Sequence, residues 1–422
     1  MRILYIVPYV PNLIRVRPYQ LIRNLARRGH RVTLATLWEN DGERDSLARL
    51  GNDVERVIAV PQSRWRSFIN CALAIPTSTP LQATYCWNPR LNRELLGLTR
   101  DHRESSGWDV IHVEHLRGAQ YGLAMLGGLE TDRQEGRPRP PVIWDSVDSI
   151  SSLFRQTSQQ SKRQFNRWMA KMELQRTEAY ERRAAGQFDR VLVASTADQK
   201  AYWALGREED AHHKISVLAN GVDLDYFQPD PQKQRDAAAL VVHGKISYHA
   251  NVSMILHLVR DILPIVWQRQ PGVKLWIVGK DPPREISKLA ENPAITVTGT
   301  VSDIRPYLQG AAVAVSPVVY GAGIQNKVLE AMACGAPVIS TSLAISALAV
   351  RAGQDVLVAD DANAFASAIV DLLNDPARQR SLSQAGRRYV EQHHDWGEIA
   401  ARLETIYLET IERRQRSAAN QT

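Results

Sequence analysis

The chain has 422 residues, of which 44% are hydrophobic and 23% charged, and its formal net charge is +7. This length exceeds one ordinary hydrophobic core, so we predict two domains, and the composition excludes a disordered or fibrous protein. Three cysteines in no CxxC pair argue against a disulfide framework and a zinc site. No apolar run approaches the roughly 20 residues of a membrane span. We therefore expect a cytoplasmic protein.

Short apolar runs alternate with longer amphipathic runs, a pattern typical of parallel sheets that are covered by helices on both faces. The predicted strands are residues 3–7, 31–36, 54–60, 110–114, 142–145 and 190–194, then 240–243, 274–278, 295–298, 312–316, 338–340 and 356–359. The predicted helices are residues 18–28, 116–126, 153–184, 252–269, 326–333 and 364–374. In such α/β sheets, ligands bind at the carboxyl ends of the strands.

The alternation is interrupted at "NGVDLDYFQPDPQKQRDA", residues 220–237, which is rich in Asn, Gly, Asp and Pro. This composition is typical of a linker. We predict an N-terminal domain over residues 1–218, a linker over 219–237 and a second, similar domain over 238–395. Residues 396–422 are predicted to form a closing helix.

Positive charge is concentrated between residues 153 and 185, where eight Lys or Arg oppose three Glu. We interpret this region as the solvated face of a helix. The alternative is a surface that contacts anionic lipid headgroups or a phosphate-bearing acceptor. No nucleic-acid-binding motif accompanies the charge, so nucleic acid is not expected as a partner.

A second unusual segment, "SRWRSFINCALAIPTSTPLQATYCW" at residues 63–87, mixes large apolar side chains with arginine. We interpret it as core followed by loop. The alternative is an interfacial segment that enters a membrane surface.

A strand, a glycine-bearing turn and a helix start follow one another in "SPVVYGAGIQNKVLEAMACGAPVIS", residues 316–340. A helix N-terminus binds anions through its backbone N–H groups and its dipole. Lys327 in the first turn can add its charge to a bound phosphate, and Glu330, three residues later, suits the paired hydroxyls of a ribose. A Lys–Glu ion pair at the surface has the same spacing, so the spacing leaves both alternatives open.

The same stretch resembles the donor-binding signature of family-four retaining glycosyltransferases. The resemblance is close in "NKVLEAMACGAPVIST" and extends over nearly the whole chain, through "MRILYIVPYVP", "FDRVLVAST", "NGVDLDYFQP" and "HHDW". The run from "HGKISYHANV" to "GIQNKVLEAMA" is similar to members of exopolysaccharide and surface-glycan pathways. The resemblance implies an α/β chain of the GT-B fold. In that fold two Rossmann-like, doubly wound domains face each other across a cleft, and the closing helix returns to the N-terminal domain.

The resemblance also implies a donor site in the second domain. Lys327 would bind the diphosphate of the donor, assisted by Lys245, and Glu330 would bind the ribose. A solvated loop lysine remains the alternative for Lys245, and Tyr248 and Asn251 are interpreted as helix caps. The full set of predicted donor-binding residues is Gly321, Gly323, Gln325, Asn326, Lys327, Glu330 and Lys245.

The sequence departs from the family's Glu-x7-Glu pattern, because Ala322 stands where the first glutamate is expected. The role of that glutamate near the transferred sugar would fall to another residue or to the donor phosphate. Two other hypotheses stay open. One is a nucleotide-sugar 2-epimerase of the same fold, and the other is a catalytically silent nucleotide-sugar-binding subunit, which Ala322 favours.

Acceptor-side residues are predicted in the N-terminal domain. The strand in "WDVIHVEHLRGAQYG" ends at Glu114 and His115, where the family often has a histidine. Asp145 and Asp148 follow the next strand and would orient acceptor hydroxyls or cap the following helix. Arg17, in the first βα turn, would bind an acceptor phosphate.

Together, these features imply a retaining, metal-independent glycosyltransferase of the hexosyltransferase type. Without a carboxylate nucleophile, retention suggests attack on the front face, with Lys245 and Lys327 stabilising the leaving diphosphate. Glu114 and His115 are the other catalytic candidates. The donor is a UDP- or GDP-sugar, and the acceptor a glycan or a lipid-linked hydroxyl in surface polysaccharide biosynthesis. No metal and no cofactor is expected. Contact with the inner face of an anionic membrane stays an open alternative.

Overall fold

The structure is a computed structural model that describes residues 1–13, 15–100, 107–133, 139–160, 164–206, 213–320 and 325–419. The chain divides into two compact units, one formed by Met1–Ala219 with Trp396–Thr422 and the other by Asn220–Asp395. Each unit is built on one parallel sheet with helices between successive strands. The predicted fold class, two doubly wound α/β domains, is confirmed.

The first unit has a sheet with the strand order β3-β2-β1-β4-β5-β6-β7. Its strands are β1 (Arg2–Val7), β2 (Arg31–Trp38), β3 (Arg56–Pro61), β4 (Val110–Glu114), β5 (Val142–Val147), β6 (Arg190–Val193) and β7 (Ile215–Val217). Its helices, before the closing one, are α1 (Val16–Arg27), α2 (Asp41–Leu50), α3 (Arg64–Ala74), α4 (Leu81–Tyr85), α5 (Pro89–Arg100), α6 (His115–Arg133), α7 (Ile150–Gln160), α8 (Gln164–Gln187) and α9 (Thr196–Leu205). The order reverses between β1 and β4, so the carboxyl ends of these strands form the topological switch point of the sheet.

Three predictions for this unit need correction. β7 was not predicted, because a serine separates its two apolar residues and they form no apolar run. The single helix predicted over residues 153–184 is two helices, α7 and α8. The segment 63–87 forms the two helices α3 and α4; Ala83 and Cys86 near its end belong to the core, as predicted, but the large apolar side chains of α3 are exposed.

The closing helix α18 (Trp396–Ala419) belongs to the first unit. Its side chains Trp396, Leu403 and Tyr407 are buried in the same cluster as apolar residues of β1 and α1. The Tyr407 hydroxyl also lies 2.8 Å from Nδ1 of His112 in β4. The predicted return of this helix to the N-terminal domain is confirmed.

The second unit has a sheet with the order β10-β9-β8-β11-β12-β13, which again reverses between its first and fourth strands, here β8 and β11. Its strands are β8 (Asp236–His243), β9 (Lys274–Val278), β10 (Ile295–Gly299), β11 (Ala311–Ser316), β12 (Val338–Ser340) and β13 (Leu357–Val358). Its helices are α10 (His249–His257), α11 (Leu263–Arg269), α12 (Arg284–Ser287), α13 (Arg305–Gly310), α14 (Asn326–Ala333), α15 (Ser342–Ile345), α16 (Ala362–Leu373) and α17 (Pro376–His393).

One helical run in this unit, His249–Arg269, is long and apolar enough to cross a membrane by length and composition alone. The expectation that no run reaches this length is therefore wrong. Its side chains Ile255, Leu258 and Leu263 are fully buried in the core of the unit, so we interpret it as a core helix. A π turn interrupts the helix just before Pro264, whose ring and missing N–H disfavour a continuous α-helix.

Candidate functional site

The predicted donor residues that the structure describes lie at the carboxyl ends of β8 and β11, the switch point of the second sheet. β8 ends at His243 and continues through a glycine turn to α10, while β11 ends at Ser316 and leads to the N-terminus of α14. Gly321 and Gly323 lie outside the described residues. Parallel pairing of β8 with β11 thus brings together two loops that are distant in sequence.

Lys327 in α14 is held by two amide side chains. Its Nζ donates to Asn251 Oδ1 at 2.6 Å and to Gln325 Oε1 at 3.2 Å. The Asn251 amide donates in turn to the backbone oxygen of Lys245 at 2.8 Å. Asn251 was predicted to cap a helix, but its amide instead connects the turn after β8 with α14. Tyr248 does stand at the N-cap of α10, but its side chain makes no capping bond.

Burial lowers the pKa of Lys327 to about 8, and the charge of Glu330 opposes this shift only in part. An ammonium that loses water is less stable, and a nearby anion restores part of the lost stabilisation. The lysine is thus fixed in place, partly desolvated and well suited to gain an anionic partner.

Glu330, one turn along α14, accepts a hydrogen bond from His243 Nε2 at 2.8 Å. The surface ion pair with Lys327 that the spacing also allowed does not form between these two described residues. His243 was missed in the sequence, although a polar residue at the end of the buried run "ALVV" was a usable signal. The carboxylate of Glu330 is thus oriented by the neighbouring strand.

Two glycines allow the turn after β8 to lie against this lysine. Gly244 and Gly279 have φ angles of +137° and +148°, which other residues rarely adopt. A Cβ on Gly279 would lie 1.8 Å from the Gly244 oxygen, and one on Gly244 would lie 3.9 Å from Lys327 Cε. The backbone of the turn after β8 therefore lies beside the Lys327 side chain.

The remaining residues on the donor side are more exposed to solvent. The side chains of Lys245 and Asn326 are exposed. Tyr320, in the loop after β11, was not predicted. Its hydroxyl lies 2.8 Å from His249 Nδ1, and the two rings stack at 5.5 Å. This contact ties the loop after β11 to the start of α10.

On the acceptor side, Glu114 is buried at the switch point of the first sheet. Its carboxyl group accepts hydrogen bonds from the hydroxyls of Tyr5 at 3.0 Å and Tyr9 at 3.1 Å. Burial, and then the charge of Asp145, raise the pKa of Glu114 to about 8. Burial therefore favours the protonated form of this group.

Arg17 and Asp145, predicted separately, are partners of each other. Arg17 Nε lies 2.9 Å from Asp145 Oδ2 and its Nη2 lies 3.1 Å from Oδ1, and both side chains are buried. The guanidinium and the carboxylate therefore satisfy each other's hydrogen bonds. The acceptor contacts predicted for both residues stay predictions. Asp148 is half-buried, and loss of water followed by the charge of Asp198 raises its pKa to about 7.

The alternative role of Asp145 and Asp148 as caps of the next helix is wrong. The first N–H groups of α7 are bound instead by Glu181, whose Oε1 accepts from Ile150 N at 2.8 Å. Asp198 accepts from Ser149 N at 2.9 Å. Both carboxylates come from distant helices, and so no local pattern marks them.

His115 lies at the tip of β4, as predicted, with a φ of +64°. Its Nδ1 accepts a hydrogen bond from Arg117 N at 3.3 Å. Loss of water and the Arg117 charge lower the pKa of His115 to about 3, so the ring is neutral at physiological pH. His112, which alternation places with Glu114, stacks on Tyr5 at 4.1 Å within the domain.

These features define a class of protein. Two doubly wound domains carry polar clusters at their switch points, and one cluster holds an ordered lysine beside a helix N-terminus. Residues 14–221 match the family described as "Glycosyl transferase 4-like domain", and residues 237–375 match "Glycosyl transferases group 1". Together the two matches cover most of the chain, which therefore belongs to the family-four glycosyltransferases of the GT-B fold.

Curated relatives match about half of the chain. The GDP-mannose-dependent alpha-(1-6)-phosphatidylinositol monomannoside mannosyltransferase of Mycolicibacterium smegmatis is 28% identical over 48% of this chain and 58% of its own length. D-inositol 3-phosphate glycosyltransferase 2 of Catenulispora acidiphila is 25% identical over 52% of this chain and 56% of its own. The chain thus spans little more than half the length of these relatives.

Solved structures match the whole chain at low identity. HepE of Anabaena in complex with UDP superposes with a TM-score of 0.66 at 14% identity, covering 97% of this chain and 100% of its own. Sucrose-phosphate synthase of Thermosynechococcus elongatus gives a TM-score of 0.62 at 19% identity, covering 98% and 100%. At these identities the likeness establishes the fold alone.

Proposed function

We propose that this chain transfers a sugar from a nucleoside-diphosphate sugar to a hydroxyl acceptor, with retention of configuration and without a metal ion. The observation that carries the proposal is the arrangement on α14. Lys327 and Glu330 lie one turn apart, and each is oriented by a side chain from β8 or α10. Such fixed charge is suited to a substrate that carries both a diphosphate and a ribose.

In this proposal the donor lies at the switch point of the second unit. Lys327 and the N-terminus of α14 bind the diphosphate, and the exposed ammonium of Lys245 adds a second charge. The carboxylate of Glu330 accepts hydrogen bonds from the ribose hydroxyls while His243 keeps it in position.

The chemistry proposed is attack by the acceptor hydroxyl on the face of the anomeric carbon from which the diphosphate departs. The bond from that carbon to the diphosphate breaks, and a diphosphate oxygen takes the proton of the hydroxyl. Lys327 and Lys245 stabilise the charge that grows on the leaving group. Glu114 and His115 of the first unit would orient the acceptor by hydrogen bonds, and burial favours the uncharged form of both.

The acceptor class is proposed from the names of relatives and from the family resemblance of the sequence. The relative from Mycolicibacterium smegmatis is named for a phosphatidylinositol monomannoside acceptor and a GDP-mannose donor. We propose a lipid-linked or glycan hydroxyl in surface polysaccharide synthesis as the acceptor here, and GDP or UDP as the carrier.

A thermal-shift panel with UDP, GDP, ADP, CMP and NAD tests the donor site. A ligand that binds only the folded state adds about 2.7 kcal/mol at roughly 100 times its dissociation constant. We expect UDP or GDP alone to raise the midpoint, and Glu330→Ala to abolish the shift. Glu285→Ala, an exposed glutamate on α12 of the same unit, is the matched control and should keep it. The donor site is refuted if no nucleotide shifts the wild type.

Release of nucleotide separates the proposal from its alternatives. Incubation with the matching nucleotide sugar and candidate hydroxyl acceptors should yield free nucleoside diphosphate and an α- or β-linked product of unchanged configuration. Nucleotide binding without any release would favour the silent subunit that Ala322 suggested. Inversion at the sugar C2 without transfer would favour the epimerase.

The lowered pKa of Lys327 predicts that nucleotide affinity falls as the pH rises above about 8. A bound diphosphate favours the ammonium and raises its pKa, so binding above this pH must take up a proton. The diphosphate itself is fully ionised there, because its second pKa is near 6. Calorimetry should show constant affinity just below this pH and a loss of up to about tenfold per pH unit above it.

Lys327→Arg is the control for this pH dependence, because its guanidinium stays charged throughout the range. Its affinity should be flat with pH, whatever its absolute value. An equal fall in the wild type and in Lys327→Arg would contradict the assignment of the proton to this lysine.

A further inference from the structure

The helix α3 reverses the usual arrangement of apolar and polar side chains. Its protein-facing side consists of small or polar residues, namely Ser67, Asn70, Cys71 and Ala74. Its solvent-facing side carries Trp65, Phe68, Ile69 and Leu73, which are 79%, 66%, 56% and 69% exposed. A surface helix of a soluble protein normally buries its large apolar side chains. The exposed face therefore needs an explanation.

Polar contacts beneath the helix fix this orientation. Ser67 accepts a hydrogen bond from Gln62 at 3.2 Å, and Asn70 donates to the backbone oxygen of Trp87 at 2.8 Å. At its start, Ser63 caps the helix by accepting from Arg66 N at 3.2 Å. If α3 rotated to bury its apolar face, these hydrogen bonds would break. Their partners, the Gln62 amide nitrogen and the Trp87 backbone oxygen, would then lose a hydrogen bond, which is costly because Gln62 is buried.

Most charged side chains around this face are positive, although Arg64 lies 3.8 Å from Glu39 and Arg176 lies 3.2 Å from Glu173. α3 contains no acidic residue, and both Arg64 and Arg66 near its start are exposed. On the neighbouring α8, Lys171 is exposed, and Arg176 donates to the backbone oxygen of Ile75 just after α3. Ile75 is itself 56% exposed and extends the apolar face. A row of apolar side chains is thus accompanied by cations.

We propose that the exposed face of α3 docks on an anionic phospholipid bilayer, with Trp65, Phe68 and Leu73 inserted at the boundary of headgroups and acyl chains. Tryptophan favours this boundary, and apolar burial together with attraction to anionic lipid sets the strength of such binding. Arginine and lysine can keep their charges at headgroup level while their stems lie along the apolar face. This docking is independent of the sugar transfer proposed above.

A protein partner fits the face less well. A stable protein interface buries about 800 Å² per partner, with a core in which charged residues are depleted. Here the exposed apolar side chains belong to one short helix and the residue that follows it, and cations lie beside them. A bilayer requires no shape complementarity and attracts these cations.

Vesicle flotation of the full chain tests the proposal. Wild type should bind vesicles in which about a third of the phosphatidylcholine is replaced by phosphatidylglycerol, and bind pure phosphatidylcholine much less. Replacing Trp65, Phe68 and Leu73 together by serine should lower binding by at least about tenfold. Arg66→Gln with Lys171→Gln should lower it less, and added salt should remove that difference. Arg64 is left in place because it lies 3.8 Å from Glu39.

Two controls keep the test decisive. Leu408→Ser removes an exposed apolar side chain from α18 and should bind as wild type does. The thermal midpoint of the triple variant should match that of wild type, because the replaced side chains are exposed. The proposal is overturned if the wild type binds neither kind of vesicle, or if the triple variant binds phosphatidylglycerol vesicles as strongly as the wild type does. It is also overturned if sedimentation shows a wild-type dimer, a monomeric triple variant and no vesicle binding, since the face would then join two copies.

Discussion

Replacing Lys327 by methionine is expected to lower the rate of sugar transfer at saturating donor by about 10²–10³-fold. Methionine keeps the length and apolar character of the side chain but removes the charge that would oppose the growing negative charge of the leaving group. Asn251 and Gln325 already hold the lysine in place. The wild-type side chain therefore does not have to reorganise when that charge develops. Single-turnover kinetics with the donor identified by thermal shift would measure the loss.

Stability must be measured on the same variant to separate lost chemistry from lost folding. Lys327→Met should change the free energy of unfolding by no more than about 1–2 kcal/mol, because burial already disfavours the ammonium while two amide oxygens lose a donor. Lys288→Met, an exposed lysine of the same unit, should leave the rate unchanged. A Lys327→Met enzyme that is folded and transfers sugar at nearly the wild-type rate would remove this lysine from the mechanism.

Replacing Arg17 by methionine is expected to destabilise the protein by about 3–5 kcal/mol. The change leaves Asp145 buried without the two hydrogen bonds that its carboxylate now accepts from the guanidinium. A buried, unpaired charge costs far more than the net value of the pair that was broken. Urea denaturation followed by circular dichroism would measure the difference, and Arg17→Met with Asp145→Asn should recover part of it.

The same helix provides a matched control. Arg23, also in α1, forms an ion pair with Asp53 at 3.0 Å, but both side chains are partly exposed. Arg23→Met should therefore cost less than about 1 kcal/mol. If the Arg17 and Arg23 variants show the same small loss in the free energy of unfolding, burial does not determine the strength of the Arg17–Asp145 pair.

The periodic pattern was sufficient to predict both sheets but only about half of the helices, and α2, α5 and α9 are among those that were not predicted. Buried parallel strands appear as short apolar runs. The residues that follow each run therefore lie at the carboxyl end of a strand. This placed Lys327, Glu330 and Glu114 at strand or helix ends. The predicted helix over residues 326–333 has the same bounds in the structure. The π turn before Pro264 and the strand β7 were not predicted, because neither forms an apolar run of its own.

The partners of the site residues could not be predicted in the same way. His243 meets Glu330 and Arg17 meets Asp145 only because particular strands lie side by side in the sheet. Sequence spacing carries no information on such pairs, and hydrogen bonds between distant side chains depend on register and rotamer. Asn251 illustrates the limit, since its position suggested a helix cap whereas its amide connects the turn after β8 with α14.

The closing helix α18 has a consequence for the order of events during synthesis. The first unit is discontinuous, because its core includes Trp396, Leu403 and Tyr407 from near the end of the chain. As the ribosome delivers the chain from its N-terminus, the apolar groove that receives α18 stays uncovered until all of Asn220–Asp395 has been made. The second unit is continuous and can complete its fold first. The nascent first unit is therefore the part of this protein for which a chaperone would matter most.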